Sequence, residues 1–252
     1  MARSWLDHTL ISRLHIIDPN TPDPDISDHT LVSYSDNFQS NHTNSDVVVL
    51  AVKPQMLRTV SRDIEFPAKT LILSIAAGQN LKSLELCFSA QNPIIRTMPN
   101  TPAAIGKGIS VSVANSNVLA QHKDTAQRLM ACCGIHEWIE DEDLMDSVTA
   151  LSGSGPAYVF YMIEALTRAG KAVGLSPELA NILARQTVIG SAALAESEAN
   201  YTASTLRENV TSPGGTTQAG LDVLMDGRFQ DILCDTLQAA KDRSIALNDT
   251  SD

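Results

Sequence analysis

Between residues 47 and 139 short runs of Val, Leu and Ile alternate with helix-patterned segments, whereas beyond Glu140-Asp141-Glu142-Asp143 every periodic segment reads as helix. The runs at 47–52, 71–75 and 94–96 are continuous rather than alternating, so both faces of each strand must be covered. A parallel sheet flanked by helices meets that demand. Helices are expected from about Gln55, from about Leu81 and over 118–132, with further strands at 109–113 and 135–139. Past the acidic stretch, helices are expected over 156–169, 177–196, 216–225 and 229–247. Pro156 and Pro177 suit first-turn positions, Ser176 suits an N-cap, and Gly170 and Gly227 suit helix ends. The chain thus divides near residue 142, into an α/β domain over 1–141 and an all-α domain over 142–252.

The N-terminal segment is less regular. Ala2, Leu6 and Leu10, with Trp5 beside them, recur at helical spacing up to about Arg13, and His15-Ile16-Ile17 then forms a short strand closed by Asp18-Pro19. Residues 20–45 are polar and read as a connection around one strand at Leu31-Val32-Ser33.

Composition removes several classes of function. With 43% apolar residues among 252, the chain can bury a core without disulfides or metal. Eighteen basic against 29 acidic residues give a formal charge of −11 with no basic run, so no nucleic-acid partner is expected. The four cysteines, Cys87, Cys132, Cys133 and Cys234, contain no C-x-x-C pair and fit reduced thiols in a cytoplasm. No run approaches the roughly 20 apolar residues that span a bilayer, so no membrane partner is expected. The first residues lack the apolar core of a signal peptide, and Asp7 disfavours a transit peptide.

Chemistry is concentrated at turns. Ala51-Val52-Lys53-Pro54, Ile75-Ala76-Ala77-Gly78 and Met98-Pro99-Asn100-Thr101-Pro102 each follow a strand, and ligands of doubly wound sheets sit at carboxyl strand ends. Thr211-Ser212-Pro213-Gly214-Gly215-Thr216-Thr217 brings two glycines to a helix start, where free N–H groups and the dipole favour a small anion such as a carboxylate. The alternative is a plain helix-start turn capped by Ser212. Leu151-Ser152-Gly153-Ser154-Gly155-Pro156 has no titratable group and reads as a close-packing segment. The six histidines, His8, His15, His29, His42, His122 and His136, lie outside these motifs without ligand spacing, so no metal site is expected. Glu142 and Glu198 are acids near the glycine motifs and would be solvated surface charges by default.

Taken in order, Ala51-Val52-Lys53-Pro54, Ser74-Ile75-Ala76-Ala77-Gly78, Arg96-Thr97-Met98-Pro99-Asn100-Thr101-Pro102, the Ser152-Gly153-Ser154-Gly155 segment and residues 210–217 resemble the Δ1-pyrroline-5-carboxylate reductase family over nearly the whole chain. The resemblance implies a Rossmann domain binding NADPH or NADH and a helical domain that pairs with a partner's into a homodimer, commonly assembling further into decamers. It implies hydride transfer to the imine carbon of pyrroline-5-carboxylate with the ring nitrogen protonated, giving L-proline in the last step of its biosynthesis. The substrate carboxylate would lie on the turn of Ser212, Gly214, Gly215, Thr216 and Thr217. Thr217 matches the family threonine that hydrogen-bonds the ring nitrogen, a positional role first because a Thr hydroxyl is a weak acid. Glu142 matches a substrate-side glutamate, and Asn209 falls beside ligand on the cofactor side. Asn37 matches an asparagine near the adenosine, while Ala51, Val52, Lys53, Pro54, Ile75, Ala76 and Ala77 line the dinucleotide. Asp18 follows the second family strand, where an acid accepts from a ribose 2′-OH and favours NADH, unless it only opens the Asp-Pro turn.

Family members begin with a strand and a Gly-x-Gly-x-x-Met turn, and Met1-Ala2-Arg3-Ser4 resembles the helix after it. The expectation is therefore a shortened chain of an active reductase, lacking the central strand and leaving two buried strand edges open. The runner-up is a non-catalytic relative that only oligomerises or binds metabolites.

Overall fold

A computed structural model describes residues 1–20, 23–38, 44–61 and 64–249, so His42 and part of the polar connection lie outside the described residues. The chain packs as two units, Met1–Ser154 together with Ala240–Asp252, and Gly155–Ala239.

In the first unit the β-branched runs become strands as expected. Helix α1 (Ala2–Asp7) precedes β1 (Leu14–Ile17), α2 (Pro24–Ser27) and β2 (Val32–Ser35). Strands β3 (Val47–Leu50), β4 (Leu71–Ser74), β5 (Ile94–Met98), β6 (Gly108–Ala114) and β7 (Gly134–Trp138) alternate with α3 (Leu57–Ser61), α4 (Leu81–Cys87) and α5 (Ala120–Ala131), and α6 (Met145–Val148) follows. Side chains of β4 leave in opposite directions because strand periodicity is two. Leu71 and Leu73 join Trp5, Ile95, Ala126, Leu129 and Met130 on one face, and Ile72 joins Leu57, Leu84 and Ile94 on the other. Both faces are covered, which is why the run is continuously apolar. Trp5 completes the first cluster by donating from its indole to the Leu129 carbonyl at 2.7 Å.

The strands form two sheets: β1 and β2 pair in parallel, and β3-β4-β5-β6-β7 pair in that order. The expectation of an all-parallel sheet needs one correction, because β6 runs antiparallel to β5 with Met98 opposite Val111. Only residues 99–107 connect them, holding a single 3-10 turn over Thr101–Ile105, and a parallel crossover needs a longer connection. Strands β1 and β3 are half-buried rather than buried, unlike the fully buried β4.

A polar chain threads this sheet. Trp138 Nε1 donates to Gln127 Oε1 at 3.0 Å, and that same oxygen lies 2.9 Å from His136 Nδ1. An indole N–H only donates, so Gln127 presents an acceptor and His136 carries its proton on Nδ1. His136 Nε2 then accepts from Ser112 Oγ at 2.7 Å, and Ser112 Oγ accepts from Thr97 Oγ1 at 2.6 Å. Burial holds the His136 pKa down at about 4.

Helices α7 (Gly155–Ala172), α8 (Pro177–Ser197), α9 (Ala203–Asn209) and α10 (Thr216–Leu224) belong to the second unit, and α11 (Arg228–Asp249) begins in it. Ser176 caps α8 as expected, accepting from Leu179 N at 3.2 Å. Gly170 is not a helix end. It lies inside α7, where a Cβ would sit 3.2 Å from that of Ala180, so glycine there admits α8; the left-handed residue that ends α7 is Gly174, with φ +100. By packing, the boundary falls at 154/155, and Ala240–Asp252 belongs with the sheet. Residues 142–154 are tied to it through Asn100, whose Nδ2 donates to the Ser152 carbonyl at 3.2 Å.

Candidate active site

Of the residues expected to bind the dinucleotide, all but Asn209 lie at the carboxyl ends of parallel strands in two sheets. Ile17 pairs with Ser35, and Asp18 N donates to the Ser35 carbonyl at 3.1 Å, which puts Asp18 and Asn37 past the same end of β1 and β2. One oxygen of Asp18 accepts from Asn20 N at 2.8 Å and from Asn20 Nδ2 at 3.1 Å, so this acid does open the Asp-Pro turn. Past β3, Ala51 and Lys53 are exposed, Val52 is half-buried, and Pro54 begins a 3-10 turn closed by Met56 N on the Lys53 carbonyl at 2.8 Å. Past β4, Ile75 N donates to the Leu50 carbonyl at 3.0 Å, which aligns the two turns. Ala77 is exposed, Ala76 is buried with its N–H on Ser74 Oγ at 3.3 Å, and Gly78 takes φ +67. Small exposed residues at adjacent parallel strand ends, with one lysine, fit the flat, anionic face of a nicotinamide dinucleotide. Ala76 is the exception, its methyl being packed inward.

Glu142 has a different setting from the solvated default. Its Oε1 accepts from Arg96 Nη1 at 2.8 Å and from Leu81 N at 2.8 Å, and Arg96 is only 5% exposed. The carboxylate therefore joins β5 to the first residue of α4, whose N-cap is Asn80. Arg96, to which the sequence motifs give no role, is what holds Glu142. A lone basic residue inside a buried strand run was the available signal, because such a charge requires a partner.

In the helical unit Asn209 is the last residue of α9 and is exposed. Thr211 Oγ1 donates to the Arg207 carbonyl at 2.6 Å, Gly214 takes φ +71, and Gly215 N donates to the Ser212 carbonyl at 3.0 Å. The N-cap of α10 is Gly215, and no side chain caps it. Ser212 thus shapes the turn through its carbonyl rather than capping the helix with its hydroxyl. Thr216 and Thr217 occupy the first two helical positions, both exposed, where backbone N–H groups lack intrahelical acceptors. Among the described residues no three His, Cys, Asp or Glu side chains gather to hold a metal, and no helix is long and apolar enough to cross a membrane.

A Rossmann-type sheet with small residues at its strand ends, followed by a helical unit in which α10 starts without a side-chain cap, is the architecture of nicotinamide-dependent reductases of the two-domain class. Residues 142–247 match the family described as pyrroline-5-carboxylate reductase dimerisation. A pyrroline-5-carboxylate reductase of Pseudomonas aeruginosa is 43% identical over 206 residues, covering 81% of this chain and 75% of that relative. Among solved structures, a pyrroline-5-carboxylate reductase from Coxiella burnetii superposes with a TM-score of 0.88 at 31% identity, over 98% of this chain and 93% of that one. A pyrroline carboxylate reductase from Plasmodium falciparum, solved with NADP bound, gives a TM-score of 0.81 at 31% identity over 98% and 92%. The chain belongs to the pyrroline-5-carboxylate reductase family.

Proposed function

We propose that this chain reduces Δ1-pyrroline-5-carboxylate to L-proline with NADPH or NADH. The observation that carries the reading is the glycine turn before α10: a helix start with no side-chain cap, two glycines and two threonines at its mouth. A substrate carboxylate accepting from the N–H groups of Thr216 and Thr217 supplies the cap that the sequence omits. The Thr217 hydroxyl then holds the ring nitrogen in its protonated form, and Ser212, Gly214 and Gly215 shape the turn around the carboxylate. A reduced nicotinamide supplies the hydride to the imine carbon. Residues Ala51, Val52, Lys53, Pro54, Ile75 and Ala77 line the dinucleotide, with Ala76 supporting them from beneath, Asn37 near the adenosine and Asn209 beside the ligand. Glu142 faces the substrate side while anchored by Arg96. Asp18 opens the Asp-Pro turn with one carboxylate oxygen, and its charge favours NADH by repelling a 2′-phosphate. The enzyme works in the cytoplasm, as a homodimer able to build decamers.

Proline formation from pyrroline-5-carboxylate, measured with each nicotinamide, tests the reading. Turnover is expected with both, faster with NADH. Thr217→Ala is expected to lower kcat by about 10- to 100-fold, as loss of one hydrogen bond to a charged group does, and Thr217→Ser to restore most of it. A chain that binds neither nicotinamide and forms no proline supports instead a relative that only self-associates.

A further inference from the structure

The end of α11 is bound to the sheet unit through one carboxylate. Ser244, 6% exposed, donates from Oγ to Asp146 Oδ1 at 2.6 Å. Asn248, four residues on and so on the same helix face, donates from Nδ2 to that same oxygen at 3.0 Å. Asp146 lies in α6, and both donors lie in the part of α11 that packs with the first unit.

This clamp holds the end of α11 beside the turn after β4. A Cβ placed on Gly78 would meet Leu247 Cβ at 3.5 Å and Asn248 Oδ1 at 3.9 Å. The left-handed φ of +67 holds glycine at this position independently of that contact. Among the described residues none donates to Asn248 Oδ1, which is buried. An unpaired buried acceptor lowers stability, so the carbonyl end of the amide does not account for an asparagine at 248. The amide is of use for where its other end holds the helix.

We propose that Asp146 is a positioning residue for the cofactor site: by holding Ser244 and Asn248 it seats the end of α11 against Gly78 and fixes residues 75–78 for the dinucleotide. The inference rests on the assignment of Ile75 and Ala77 to the dinucleotide made above. A mobile turn would have to be ordered at each binding event, and that cost falls on cofactor affinity rather than on chemistry.

The test compares Asp146→Ala, Asp146→Asn and Ser244→Ala in the full chain by amide hydrogen exchange and by steady-state kinetics. Asp146→Ala should speed exchange at residues 76–79 about tenfold, leave β4 protected, and raise KM for the dinucleotide about fivefold, with kcat and KM for pyrroline-5-carboxylate within about twofold. Asp146→Asn keeps an acceptor oxygen in place and should recover most of both effects, with Ser244→Ala intermediate. Unchanged exchange at 76–79 in Asp146→Ala overturns the proposal, as does an equal rise in both KM values. Failure of the wild-type chain to bind either nicotinamide overturns the proposed function instead, and the exchange result still decides whether Asp146 holds the turn.

Discussion

The two units bury their apolar residues very differently. In the sheet unit Leu57, Leu71, Ile72, Leu73, Leu84, Ile94 and Ile95 are essentially inaccessible, a core built from both faces of parallel strands. Between residues 155 and 239 only Ala180 and Ala184 are buried, while Phe160 is 60% and Ile182 62% exposed. The helical unit contains no less apolar side chain; it leaves that side chain uncovered. Large contiguous apolar surface on a folded domain marks an interaction site. The family match over residues 142–247 is to a dimerisation domain, so the chain's self-association supplies the cover. One unit covers its apolar residues within its own interior, and the other leaves them to self-association.

The largest expected effect follows from the second half of that contrast. A charge at Leu183 or Phe160 would be desolvated in a dimer and solvated in a monomer. Leu183→Asp should weaken the dimer by about 10²- to 10³-fold, the loss of a central hot spot, when the dissociation constant is measured by sedimentation. Dimers of unchanged affinity in both Leu183→Asp and Phe160→Asp would show that another face makes the interface. The next effect belongs to the sheet. Ile72→Ala removes a fully buried side chain between β4 and α4 and should destabilise by about 3 kcal/mol. Denaturation at two protein concentrations separates the units: the loss from Ile72→Ala stays the same, whereas that from Leu183→Asp shrinks as the chain is diluted.

The same contrast explains what could be read from the sequence. Continuous Val and Leu runs announce two-sided burial, because each strand carries that demand in its own residues, and β3, β4 and β5 are where they were expected. The glycine turn before α10 was equally legible, since Gly214 and Thr217 are neighbours in the chain. Pairing direction was not legible: nothing in Gly108-Ile109-Ser110-Val111 says that β6 runs against β5, and only the shortness of the connection decides it. Gly170 misled because a glycine that ends a helix and one that admits a neighbouring helix look alike without Ala180 in view. Arg96 to Glu142 and Asp146 to Ser244 span 46 and 98 residues, and no local pattern joins such partners.

The smallest effect tests the sheet interior through pH. His136 is buried and oriented as a neutral ring, with its Nδ1 proton on Gln127 and its Nε2 lone pair taken by the Ser112 hydroxyl. Among the described residues no charged group hydrogen-bonds it; Trp138 meets the ring edge-on at 5.0 Å, and Lys123 lies over Trp138. Burial lowers the folded-state pKa to about 4, below the 6.5 of an unperturbed histidine. The unfolded chain therefore takes up a proton first as pH falls, so the stability that His136 supplies is complete above about pH 6.5 and lost between there and pH 4. Between pH 7.5 and pH 5 the loss should be about 2 kcal/mol at 1.36 kcal/mol per pKa unit. His136→Gln keeps polar atoms in the chain but cannot titrate, and its unfolding free energy should flatten by that amount over the same window. An equal slope in wild type and variant would mean that His136 is protonated in the folded state, and that Ser112 has turned to accept from it.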